Sequence, residues 1–160
     1  MIPWQNFFVA IVSAAAALTG LIFVGVSISL TRILSIPKMP SRAFESLLLL
    51  LVIVIISSLC LVPSQSAFLL GLEILCLGLF IWVITLRIDI SLLKNTDAEN
   101  KKHSIQNIIF TQLAVLPYII AGISTINHGF EGIYWLLPGI IFSLIKALVD
   151  AWVILVEINR

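Results

Sequence analysis

Five apolar runs take up most of this 160-residue chain, and each is close to the roughly 20 residues that a helix needs to cross a hydrocarbon core. They extend over Gln5 to Ile33, Ala43 to Leu61, Ala67 to Ile88, Ile105 to Ile126 and Ile133 to Ile158. In lipid no water satisfies backbone amides and carbonyls, so such runs are expected to be helices. The connections agree with this division. Ser35-Ile36-Pro37-Lys38-Met39-Pro40, Pro63-Ser64 and Asn127-His128-Gly129 carry chain-breaking residues. Lys94 to Lys102 is the one polar connection of any size. The expected fold is all-α: a polytopic transmembrane helical bundle of five spans forming a single domain over residues 1–160.

Composition narrows the class further. Hydrophobic residues make up 61% and charged residues 11%, and the mean hydropathy is +1.18, far from the values of a soluble domain. A formal net charge of +1 argues against a nucleic-acid partner. Met1 to Ser29 lacks the basic start of a signal peptide and its apolar run is too long for one, so it reads as a retained span.

Orientation follows from the basic residues, which are retained on the cytoplasmic side of span ends. Arg32, Lys38 and Arg42 flank the first connection, Arg87, Lys94, Lys101 and Lys102 flank the third, and Arg160 ends the chain. The segment before the first span, the Pro63 turn and the Asn127–Gly132 connection contain no Lys or Arg. The expectation is an N-terminus outside and a C-terminus inside, multi-pass in the cell's inner (plasma) membrane. Trp4, Tyr134 and Trp135 then fall at the outer interface.

Charges inside the apolar runs are the candidate functional groups. Lys146, Asp150 and Glu157 share one helical face of the last run, and a charge facing lipid is costly, so this face must look toward protein or a wet cavity. In the third run Glu73, Phe80 and Arg87 recur every seven residues. Counting the rise along each helix puts Arg87 and Asp150 within about 5 Å in height, and Glu73 roughly 10 Å above Lys146. The expected partners between helices are therefore Arg87 with Asp150 and, with help from helix tilt and Cβ direction, Glu73 with Lys146; Lys146 and Asp150 can also pair within their own helix at i, i+4, in the less favourable order. Such groups either hold helices in register as ion pairs or line a route for protons or ions. Glu157 and Arg32 fall at the inner interface, and Glu45 reads as a helix-terminus residue.

Small residues mark a second feature. Ser13, Ala17, Gly20, Ser27 and Thr31 share a face of the first run, which suits close helix packing within or between subunits more than a pore lining. The fourth run carries Gln106, Asn107, Thr111 and Gln112 ahead of Pro117, a bent amide-bearing helix of the kind that can border a cavity.

Several chemistries are disfavoured. His103 and His128 fall on opposite sides in this topology, against a paired-His haem or metal site. Cys60 and Cys76 lie in different runs without a CxxC pair. No phosphate loop, nucleophile elbow or zinc motif occurs. No cofactor, metal or catalysis is expected.

Trp4 with Phe7-Phe8, Gly20-Leu21-Ile22-Phe23-Val24, Arg42 with Glu45, Gln65-Ser66, Gly71 with Glu73, Gly132 with Tyr134-Trp135, and the ending Ala151 to Ile158 together resemble a family of small bacterial integral membrane proteins. Some of its members are labelled "modulator of FtsH protease". The resemblance spans nearly the whole chain and implies a membrane-protein partner, with no motif for an activity. The residues themselves point first to an oligomeric channel or transporter embedded in the lipid bilayer, with Glu73, Arg87, Lys146 and Asp150 as its intramembrane charges. The alternative is a non-catalytic scaffold or regulator of another membrane complex, such as a membrane protease.

Overall fold

The computed structural model describes residues 2–94 and 101–158, and among them no strand occurs. The elements are α1 (Ile2–Ile28), α2 (Leu30–Ser35), α3 (Met39–Leu59), α4 (Ala67–Lys94), α5 (Lys101–His128), a 3-10 segment (Gly129–Trp135) and α6 (Leu136–Ile158). Arg160 and the centre of the polar connection lie outside the described residues, as do the side chains of His103 and Glu157.

The breaks follow from local chemistry. The first apolar run, expected to be one helix to Ile33, divides at Ser29, whose φ of −98° and ψ of 10° leave the helical region. Pro37 stops α2, Lys38 turns the chain with a φ of 75°, and Pro40 sits in the first turn of α3, where a missing N–H costs nothing. Gly129 reverses the chain after α5 with a φ of 70°, a region other residues enter only with strain. Pro117 lies inside α5 without ending it. The helix of the third run goes beyond Ile88 to Lys94, and that extension carries Asp89 into the bundle.

α1, α3, α4 and the stretch Ser104–Val156 are each long and apolar enough to cross a membrane. The last stretch runs through α5, the 3-10 segment and α6, and at ~1.5 Å per residue it would far exceed one bilayer if straight. Instead α5 and α6 pack on each other antiparallel, with Tyr118 beside Ser143 and Gly139. Large apolar side chains such as Leu21, Phe23, Phe80 and Trp152 point outward along these helices. That exterior, with the apolar helices, is that of a membrane protein.

Packing places α4 against α5 and α3, α6 against α5 and α3, and α1 chiefly against α3. α4 and α6 are not direct neighbours. A close glycine seam joins α4 to α5. A Cβ on Gly122 would lie 2.7 Å from the Leu75 Cα, and one on Gly71 2.8 Å from Ile126 Cγ1. Glycine lets two backbones approach where lipid removes the hydrophobic drive between helices. At the end carrying the Pro63 turn, Trp4 meets Tyr134 with ring centroids 4.9 Å apart, tying α1 to the 3-10 segment.

The small-residue face of α1 does not pack within the bundle. Ser13, Ala17, Gly20 and Ser27 are exposed, and open space surrounds Gly20. Ser13 and Ser27 each donate to a carbonyl one turn back, at 2.8 Å, which satisfies the hydroxyls without a neighbour. Within the chain, close approach through small residues occurs instead at the glycines of α4 and α5.

Candidate functional site

Four charged side chains from three helices meet inside the bundle, near the end that carries Lys38, Lys94 and Lys101. Glu45 of α3, Asp89 of α4, and Lys146 and Asp150 of α6 are 0%, 1%, 2% and 4% exposed. Lys146 Nζ donates to Asp150 Oδ2 one helical turn away, and lies 3.7 Å from Glu45 Oε1. Asp89 is within electrostatic reach of Glu45, Lys146 and Asp150. Arg42, partly exposed, faces Glu45 from nearer the end of α3.

α5 closes the site with polar groups. Thr111 Oγ1 donates to Glu45 Oε1 at 2.6 Å and also lies 3.1 Å from the Asn107 carbonyl. Asn107 borders Asp89, yet neither Asp89 oxygen meets a donor at hydrogen-bond geometry. Glu45 Oε2 is likewise without one. Neighbouring bonds fix the walls: Ser46 Oγ donates to the Ala147 carbonyl at 2.9 Å, joining α3 to α6. Trp82 Nε1 donates to Gln112 Oε1 at 2.8 Å, joining α4 to α5. Above the charges, Tyr118 OH donates to Ser143 Oγ at 3.0 Å.

The enclosed set holds three carboxyls and one ammonium. Ionised throughout, it would be over-acidic even with Arg42 counted, and uncompensated charge in a dry interior is not tolerated. The arrangement is therefore suited to taking up positive charge.

Of the pairs expected from sequence, the two between helices do not form. Arg87 is exposed on α4 and is not paired with Asp150, because α4 and α6 are not in contact and its face looks away from the bundle. Glu73 accepts from Gln65 Nε2 at 2.5 Å, at the Pro63 end. It lies roughly 20 Å along the bundle from Lys146 by helical rise. The reason is the 3-10 segment, which folds back beside α5 with Gly132 against Ser124 and Thr125, so α6 starts well inside the bundle and Lys146 sits deeper than its distance from Ile133 suggested. Lys146 and Asp150 are in the site as expected, paired with each other.

Glu45 and Asp89 were not singled out as site residues from sequence. A legible sign existed for Asp89: Gly71, Ile74, Gly78, Ile81, Thr85 and Asp89 recur with helical period and are all buried, a small-residue face that ends in a carboxylate. Cys60 is buried and Cys76 exposed, both free, and among the described residues no group of three His, Cys, Asp or Glu could hold a metal ion.

Thr111 tests the wall of this site. Thr111→Val removes a donor from a buried carboxylate and is expected to lower stability by about 1–3 kcal/mol, read from the thermal midpoint in detergent. A midpoint equal to the parent's would show that Glu45 does not depend on this hydroxyl.

Comparison with protein-family models, with curated proteins and with solved structures finds no match to this chain.

Proposed function

We propose that this protein crosses the bacterial inner (plasma) membrane five times, with its N-terminus outside and its C-terminus inside, and moves protons or small cations as an oligomeric channel or transporter. The observation that carries the reading is the enclosure of Glu45, Asp89 and Asp150 around the single ammonium of Lys146. Intramembrane charge is costly and is retained where it serves a pathway. Gathering of Lys38, Lys94 and Lys101 at one end of the helices supports the orientation. The outward small-residue face of α1 supports self-association. In this reading the protein is not an enzyme and needs no cofactor.

Proteoliposomes test the transport. A potassium gradient with valinomycin is expected to drive quenching of an internal pH dye faster than in protein-free vesicles, with Glu45→Gln slowing it. Wild-type vesicles no faster than empty ones would contradict the reading. Topology has its own test: in a background with Cys60 and Cys76 replaced by Ala, a cysteine at Ser64 is expected to react with an impermeant maleimide on intact cells. One at Lys38 is expected to react only after lysis, and the reverse pattern would invert the topology.

A second reading is favoured by the uncovered outer surface of the first helix. Between α1 and α6 lies an apolar groove of about 290 Å³ lined by Leu18, Ile22, Gly25, Leu148, Trp152 and Leu155, and the small-residue face of α1 is also unoccupied. A regulator or scaffold for another membrane complex would use such surfaces, and the buried charges would then fix helix register. The resemblance to a family with members labelled as modulators of a membrane protease belongs with this reading.

A further inference from the structure

We propose that Asp89 holds a proton and is the group that loads the cargo of the buried site, an inference that rests on the transport reading and names its substrate class as the proton. The extension of α4 to Lys94 places Asp89 about 7 Å inside the helix end, on the inward face with Ile81 and Thr85.

Of the donors around it, the hydroxyls and the ammonium are committed elsewhere and the Asn107 amide makes no well-formed bond to it. On its own helix, Thr85 Oγ1 donates to the Ile81 or Trp82 carbonyl, at 2.9 and 3.2 Å. From α5, Thr111 serves Glu45, and the Asn107 amide borders the carboxyl without a well-formed bond. From α6, Lys146 serves Asp150 and faces Glu45. From α3, Glu45 is within electrostatic reach, and its Oε2 is itself an acceptor with no donor. Asp89 thus shares the one ammonium in reach with two other carboxyls and has no well-formed hydrogen bond.

A proton remedies both at once. Asp89 passes from –CO₂⁻ to –CO₂H by taking up one H⁺, with no other bond changed and no electron moved, and the new O–H is a donor for the orphaned acceptors around it. A divalent metal fits less well, since no metal-holding group of side chains exists among the described residues. The position near the basic end gives a short route for exchange with water on that side.

Infrared spectroscopy on the protein in lipid nanodiscs tests this, using aspartate ¹³C-labelled at its carboxyl. In neutral buffer the wild type is expected to show a protonated-carboxyl band that shifts with the label and is lost in Asp89→Asn. Should Asp89→Asn fail to fold, Asp89→Glu substitutes for it: its carboxyl carries no label, and loss of the label-sensitive band there is the expected result. Absence of any label-sensitive band in the wild type, or its survival in a folded Asp89→Asn or Asp89→Glu protein, overturns the proposal. A band that depends on Asp89 in a protein that passes no protons would uphold this assignment and sink the transport reading. Proton flux without such a band would do the opposite.

Discussion

Lys146→Met is expected to lower the stability of the bundle by about 3–5 kcal/mol, the cost of leaving a buried charge set without its partner. The methionine matches the stem of lysine in length and bulk, so the loss comes from the ammonium and not from a cavity. Asp150 would lose its hydrogen-bonding cation and Glu45 the positive charge 3.7 Å away. Neutralising the acids together with it, as in a Glu45→Gln, Lys146→Met, Asp150→Asn triple variant, is expected to recover most of the loss, since a neutral buried set needs no counter-ion. Unfolding followed in detergent micelles reads both variants. A Lys146→Met protein as stable as the parent would show that the ammonium is not compensating buried carboxylates.

Gly122→Ala is expected to cost about 1–3 kcal/mol, the range of overpacking in a tight core. The added methyl would sit 2.7 Å from the Cα, Cβ and N of Leu75. Those atoms belong to α4 itself and cannot swing aside as a side-chain tip would. Relief requires the two helices to separate along a seam that also includes Gly71 and Gly78. Gly20→Ala is the contrast: nothing lies within 4 Å of it, and replacing a helical glycine in open space is expected to add up to about 1 kcal/mol. Melting both variants in the same detergent checks the pair, and equal behaviour would mean that the α4–α5 approach is not this close.

Much of the architecture is legible in the chain because lipid leaves few options. Apolar runs of crossing length became long helices, and Pro37, Pro63 and Gly129 broke them where their backbone constraints require. The boundary at Ser29 was not legible, since Ser and Thr are common inside lipid-embedded helices and Leu30 to Leu34 continues the apolar pattern. The continuation of α4 to Lys94 was missed because hydropathy falls at Asp89, and a drop in hydropathy marks the end of an apolar run without marking the end of a helix.

The site was half legible for a related reason. Lys146 and Asp150 stand out because they interrupt a long apolar helix. Glu45 and Asp89 sit near helix ends, where a charge ordinarily meets water, and their burial depends on which faces α3 and α4 turn inward. Arg87 and Glu73 show the converse. Their seven-residue spacing defines a common face, but spacing cannot say toward which neighbour that face is turned. The 3-10 segment set the depth of α6, and nothing in its sequence announced that it would fold back along α5.

A double-mutant cycle between Glu45 and Lys146 tests most directly whether acidic and basic groups from separate helices are enclosed together. Unfolding free energies of the parent, Glu45→Gln, Lys146→Met and the double variant in one lipid or detergent system give the coupling. The account predicts a favourable coupling on the order of 1–3 kcal/mol, as residues in one buried charge network show. Additive losses, with a coupling near zero, would place the two side chains apart and contradict it.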